Sequence, residues 1–162
     1  MLINSKISLF LLIINSPNLT ISKHKLNLSE PFLKKLRRLE NYFKTTEQRE
    51  YCGSYENILK KVIELVLNDE GGNSWERYDA SNLHTIDDGD YQGTLVFLFP
   101  RETYQPSIED YIITYVSYGS CSGCNTLQAI SNYEDGIATD DQVKDYMMLA
   151  LHLIQNMKKF ND

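Results

Sequence analysis

Residues 84–99 read HTIDDGDYQGTLVFLF and predict a β-hairpin. The pair Asp88-Gly89 is typical of a tight hairpin turn. Residues 91–99 follow as a strand, and the successive apolar residues at its end are typical of a strand that is covered on both faces. A second strand is predicted at residues 111–118, where β-branched and aromatic residues are dense.

Helical patterns lie on both sides of these strands. Ser29 and Ser54 are predicted N-caps, the first for an amphipathic helix over residues 30–48. Thr139 and Gln142 form a capping box for the last helix. The residues expected to be buried recur at helical spacing: Phe32, Leu36, Leu39 and Phe43; Tyr55, Ile58, Leu59, Val62, Ile63 and Val66; Val143, Tyr146, Met147, Ala150, Leu153, Ile154, Met157 and Phe160.

The order of helices, then a sheet, then helices predicts one α+β domain over residues 29–162. Its small, mainly antiparallel sheet is packed by N-terminal and C-terminal helices. Residues 1–28 are expected to form a poorly defined extension. Within them, residues 7–14 (ISLFLLII) would suit a buried strand, or the apolar part of a signal peptide over residues 1–16. No apolar run reaches the length that spans a bilayer.

Charge and cysteine content restrict the class of partner and the location. The chain of 162 residues has a net charge of −6, and 42% hydrophobic residues argue against disorder. Residues 69–162 carry 16 acidic and 5 basic residues, which disfavours general binding of nucleic acids. Three cysteines, an odd number, indicate reduced thiols and a cytoplasmic protein. The basic cluster at residues 34–38 is expected to be a solvated helix face or a docking face for an acidic partner.

The most unusual stretch is YGSCSGC at residues 118–124, between a predicted strand and a short helix near residues 125–133. Its Cys-x-x-Cys permits four interpretations. It could hold zinc, be a redox pair at a helix start, or form an anion cradle of backbone N–H groups. It could also be a tight structural turn of small residues. The candidate zinc ligands are Cys52, His84, Cys121 and Cys124.

The Asp-rich segment at residues 87–90 follows His84 and can be either a turn or a site for a metal or substrate. We expect this hairpin and the Gly-Ser-Cys turn to form one polar pocket at the end of the sheet. The predicted ligand-binding residues are His84, Asp88, Asp90, Gln92, Tyr118, Ser120, Cys121, Ser122 and Cys124.

Two motifs resemble a family of small uncharacterised proteins of bacteriophages and Gram-positive bacteria. They are IDDGDYQGTL at residues 86–95 and YGSCSGCNTLQ at residues 118–128. The family shares an Asp-x-Tyr-Gln-Gly strand and a Tyr-Gly-Ser-Cys-Ser-Gly-Cys-Asp turn, so Asn125 stands where the resemblance implies an aspartate. The resemblance covers roughly residues 84–130 and implies a phage-like accessory or host-interaction role, with no particular activity.

Three functional hypotheses follow. The first is a small soluble binding domain that is not an enzyme, whose partner is a small molecule or a host protein segment. The second is a thiol-dependent or metal-dependent enzyme that uses Cys121 or Cys124 with His84. The third is a zinc-stabilised interaction module. The sequence assigns no catalytic residue and leaves the oligomeric state open.

Overall fold

A computed structural model describes residues 29–68, 73–120 and 125–160. Its four strands form one antiparallel sheet in which each strand pairs with the next along the chain, and the helices pack together against one face of that sheet. This architecture confirms the predicted α+β class. The helices are α1 (Glu30–Thr45), α2 (Tyr55–Val62), α3 (Thr126–Ser131) and α4 (Asp140–Gln155), and the strands are β1 (His84–Asp87), β2 (Gly93–Pro100), β3 (Tyr111–Tyr118) and β4 (Lys158–Lys159).

The inner face of the sheet, which faces the helices, is built from alternate residues of β2 and β3. Phe97 is paired with Thr114 and Phe99 with Ile112, and both phenylalanines are fully buried. The buried Thr114 hydroxyl donates a hydrogen bond to the Leu153 carbonyl at 2.7 Å. This bond joins the sheet to α4 and satisfies the polar group that the sheet buries.

The outer face of the sheet differs from the prediction. Val96 and Leu98 are only half-buried there, and Ile86 and Tyr115 are 55% and 45% exposed. The strand is therefore not covered on both faces by the described part of the chain. An apolar run records which residues tolerate burial and not on which face the helices pack, so residues 91–99 predicted more cover than the described residues provide.

The helices share an aromatic core. The rings of Phe43, Tyr51 and Tyr146 lie 5.0 to 5.4 Å apart, and the Tyr146 hydroxyl donates to Gln48 Oε1 at 2.8 Å. The predicted apolar stripe of α2 is buried in full and continues through a π-helical turn at Ile63–Leu67. Most of the hydrophobic core therefore lies where the helical spacing predicted it.

The helix ends confirm the caps in part. The Ser54 hydroxyl accepts from the Asn57 N–H, and both halves of the capping box at Thr139 form. Ser29 occupies the N-cap position of α1 without a side-chain hydrogen bond. Helix α1 ends at Thr45, three residues earlier than predicted, because residues 48–50 form a separate 3-10 turn.

The last helix is also shorter than its apolar stripe suggested. It ends at Gln155, so the half-buried Met157 and the 44% exposed Phe160 lie beyond it. The chain turns back at this point to form β4, which the helical pattern did not predict.

In the part of the chain that the structure describes, no helix has the length and apolarity needed to cross a membrane. The extension over residues 1–28 and the signal peptide considered for residues 1–16 lie outside the described residues.

Candidate functional site

The Asp-rich hairpin is present, but its loop is longer than a two-residue turn. Strand β1 ends at Asp87 and β2 begins at Gly93, so residues 88–92 form the loop. The Thr94 N–H donates to Asp88 Oδ1 at 2.6 Å, and the Gly89 N–H donates to Asp87 Oδ1 at 3.1 Å. Two side-chain carboxylates thus accept hydrogen bonds from backbone N–H groups that a tight turn would pair with backbone carbonyls. The loop departs from the predicted tight turn for this reason.

Two glycines allow this loop to close on itself. A Cβ atom on Gly89 would lie 2.7 Å from the Gly93 Cα and would overlap the Gln92 carbonyl oxygen. A Cβ on Gly93 would meet the Gly89 Cα at the same distance and Asp88 Oδ1 at 2.9 Å. Both positions require glycine because backbone approaches backbone too closely for any side chain.

Tyr118 connects the hairpin to the end of β3. Its hydroxyl donates to Asp87 Oδ1 at 2.6 Å and also lies 3.0 Å from the Gly89 carbonyl oxygen. The hydrogen bond to Asp87, together with desolvation and the negative charges of Asp87, Asp88 and Asp90, raises the pKa of Tyr118 to about 12. The start of the Gly-Ser-Cys turn is therefore fixed beside the Asp-rich loop.

Asn125 fixes the other end of that turn. Its Oδ1 accepts from the Gln128 N–H at 3.2 Å as the N-cap of α3, and from the Tyr55 hydroxyl at 3.0 Å. The Tyr55 hydroxyl in turn accepts from the Leu127 N–H at 3.2 Å. Asparagine and aspartate are equally good N-caps, so the residue that departs from the family motif still suits its place.

The predicted pocket residues other than His84 divide into three groups. Asp88 and Tyr118 hold the loop and the strand end together, as described above. Asp90 and Gln92 are exposed in the loop, and Ser120 is exposed just beyond β3. Cys121, Ser122 and Cys124 lie outside the described residues.

The structure does not bring His84 to the loop. His84 begins β1, opposite Leu98, and lies three residues from Asp87. Side chains alternate along a strand, so His84 shares the outer face with Ile86, whereas Asp87 is on the inner face with Tyr118. The structure therefore does not bring His84 together with Asp87 and Tyr118.

Cys52, the other proposed ligand outside the turn, is half-buried after the 3-10 turn at residues 48–50, and its N–H donates to the Gln48 carbonyl at 2.7 Å. Burial, followed by the negative charge of Asp135, raises the pKa of the Cys52 thiol and favours its protonated form. Within residues 29–68, 73–120 and 125–160, no group of three or more His, Cys, Asp or Glu residues is arranged to hold a metal ion.

Sequence reasoning missed the part that α2 plays at this end of the sheet. Tyr55 was assigned only to the apolar stripe, yet its hydroxyl holds Asn125. Thr85 Oγ1 also donates to Glu56 Oε2 at 3.3 Å, which joins β1 to the first turn of α2. Both contacts join residues far apart in the chain, so no local sequence pattern predicts them.

A groove of about 340 Å³ lies on the other side of β3 and was not predicted. It runs between β3, the start of α3 and the C-terminal half of α4. Its lining consists of Tyr115, Val116, Ser117, Thr126, Leu149, His152, Leu153, Gln155 and Asn156.

Comparisons with known proteins found no match to this chain among family models, curated proteins or solved structures.

Proposed function

We propose that the protein is a small binding domain whose ligand pocket lies where the hairpin loop meets the turn after β3. The observation that carries the proposal is the contact of Tyr118 with Asp87 and Gly89. It sets the first residue of the YGSCSGC stretch beside the Asp-rich loop, although 31 and 29 positions of the chain separate Tyr118 from Asp87 and Gly89. A binding site needs such convergence of polar groups from separate segments.

The charge of the loop indicates which ligands suit the pocket. Asp87, Asp88 and Asp90 lie on one side of the pocket, and Asp90 is exposed together with Gln92. These carboxylates would repel an anion, which argues against the anion-cradle interpretation of the turn. They favour a ligand with hydrogen-bond donors or positive charge, such as an amine or guanidinium group on a small molecule or on a host protein segment.

Binding is favoured over catalysis by the groups that surround the loop. Tyr118, with its pKa raised to about 12, is protonated at neutral pH and is a poor general base. His84 lies on the face of β1 opposite Asp87 and Tyr118, so it adds no acid-base group to the loop. We also infer from the two motifs a phage-like accessory role in the cytoplasm, as the resemblance and the odd cysteine count imply.

An NMR titration of the full chain under reducing conditions tests the pocket. Arginine methyl ester serves as the cationic probe and inorganic phosphate as the anionic one. We expect the cationic probe to shift the amide signals of Asp90, Gln92 and Ser120, and phosphate to leave them in place. Equal responses to both probes, or none to either, would refute the proposed pocket.

Two tyrosine variants of β3 provide a matched comparison. Tyr118→Phe removes the contact with the loop, whereas Tyr115→Phe alters the opposite face of the same strand. We expect weaker binding of the cationic probe by Tyr118→Phe and unchanged binding by Tyr115→Phe. If both variants bind as the unmodified chain does, Tyr118 does not organise the site.

A further inference from the structure

The second half of β3 has an edge without a neighbouring strand. Strand β4 pairs with β3 through two residues only, and the Phe160 N–H donates to the Tyr111 carbonyl at 3.0 Å. Backbone groups of alternate residues point to the same edge of an antiparallel strand. The N–H and C=O groups of Tyr115 and Ser117 therefore point to the edge on which β4 lies, beyond the point where β4 ends.

Asn156 forms a hydrogen bond with the first backbone group of this edge beyond β4. Its side-chain Nδ2 donates to the Tyr115 carbonyl at 3.2 Å, where an additional strand would place a backbone N–H. Across residues 29–68, 73–120 and 125–160, no strand lies opposite the remaining backbone groups of Tyr115 and Ser117. Such groups are a template for strand addition.

The groove of about 340 Å³ lies directly against this edge. Leu149 and Leu153 of α4 contribute buried apolar side chains to it, and His152 contributes an exposed polar one. The described lining contains no Asp, Glu, Lys or Arg. A strand edge beside a groove of polar and apolar side chains under a helix can bind an extended peptide as an additional strand.

We propose that residues 7–14 of this chain, ISLFLLII, bind in the groove as a strand alongside Tyr115 and Ser117. This run has no charged residue, which matches the uncharged lining, and it is rich in residues that favour strands. It would supply backbone donors and acceptors to the open edge and apolar side chains to Leu149 and Leu153. The proposal is independent of the pocket at the hairpin loop.

The connecting chain is long enough for this arrangement. Fourteen residues, 15–28, separate the run from Ser29 at the start of α1. Fully extended they span about 46–50 Å. A domain of this size has a radius of gyration of about 15 Å. The extended segment is thus about three times as long as this radius, which puts the groove within its reach from most of the domain surface.

Amide hydrogen exchange in the full chain tests the proposal. We expect the amides of Tyr115 and Ser117 to exchange at least tenfold faster in the double variant Phe10→Asp/Leu12→Asp, or in Leu9→Asp/Leu11→Asp, than in the unmodified chain. Two doubles are needed because alternate side chains of a strand face opposite sides. The double variant Leu26→Asp/Leu28→Asp introduces the same charges outside the run and should leave both rates unchanged.

Three results of the exchange experiment would overturn the proposal. The first is fast exchange of both amides in the unmodified chain, and the second is exchange that neither double variant within the run alters. The third is protection that rises with protein concentration, because a second copy would then be the occupant. Nuclear Overhauser contacts between residues 7–14 and Ser117 in the unmodified chain supply a readout that needs no variant, and their absence would contradict the proposal.

Discussion

Replacing Tyr55 by Phe is expected to destabilise the protein by loosening the far end of the Gly-Ser-Cys turn. The Tyr55 side chain is 4% exposed, and its hydroxyl donates to Asn125 Oδ1 while it accepts from the Leu127 N–H. Phenylalanine preserves the ring and removes both hydrogen bonds. The turn would then lose its connection to α2.

The size of the effect follows from these two bonds. Losing an ordinary hydrogen bond costs about 1 kcal/mol, and a buried N–H left without an acceptor costs about 1–3 kcal/mol. We therefore expect the free energy of unfolding to fall by about 2–4 kcal/mol. For a domain of this size, that corresponds to a fall in Tm of several degrees, about 3 °C for each kcal/mol.

Urea denaturation measures this change directly, with Tyr78→Phe as the control. Tyr78 is half-buried against the core, and its ring makes a T-shaped contact with the ring of Phe99. Its hydroxyl has no hydrogen bond to any residue within the described ranges. The control should change the free energy of unfolding by less than about 0.5 kcal/mol. Equal stabilities of Tyr55→Phe and Tyr78→Phe would refute the reasoning.

Three further predictions concern the loop and the sheet. The pKa of Tyr118 is raised from 10.0 to about 12, so the stability that its protonated hydroxyl contributes is complete below pH 10 and is lost as the pH rises towards 12. Ultraviolet titration should show one tyrosine titrating near 12 in the unmodified chain, and this tyrosine should be missing from the titration of Tyr118→Phe. Gly89→Ala forces the backbone apart in the hairpin loop and should lower the free energy of unfolding, measured by urea denaturation, by about 1–3 kcal/mol. In the control Gly136→Ala the Cβ meets nothing within 4 Å, so the free energy of unfolding should fall far less. Similar losses for both variants would contradict the close approach at Gly89. Thr114→Val keeps the shape of the side chain but removes the hydrogen bond to Leu153, so a loss of about 1 kcal/mol is expected, and an unchanged midpoint would argue against that bond.

Local patterns predicted the elements of this fold well. Strand β3 has the predicted bounds, and the capping box at Thr139 is formed. Both depend on residues within a few positions of each other. The shortened α1 and the strand β4 were missed because packing between distant segments, not helical spacing, decides where those helices stop.

The candidate site was predictable only in part. Asp88-Gly89 correctly indicated a hairpin between β1 and β2, but its loop spans residues 88–92 instead of the predicted tight turn. The contact of Tyr118 with Asp87 depends on the register of β1, β2 and β3, which the sequence does not state. His84 and Asp87 face opposite sides because side chains alternate along β1, but which of the two lies on the side of Tyr118 depends on that register.

The most direct test of the central claim is whether the hairpin loop and the Gly-Ser-Cys turn are neighbours in solution. Nuclear Overhauser spectra of the isotope-labelled full chain under reducing conditions measure this proximity, and contacts between Tyr118 and Gly89 serve as the internal reference. The account predicts cross-peaks between residues 88–92 and residues 121–124. Reference contacts without any cross-peak between these two segments would contradict it, because the two polar segments would then not share a pocket.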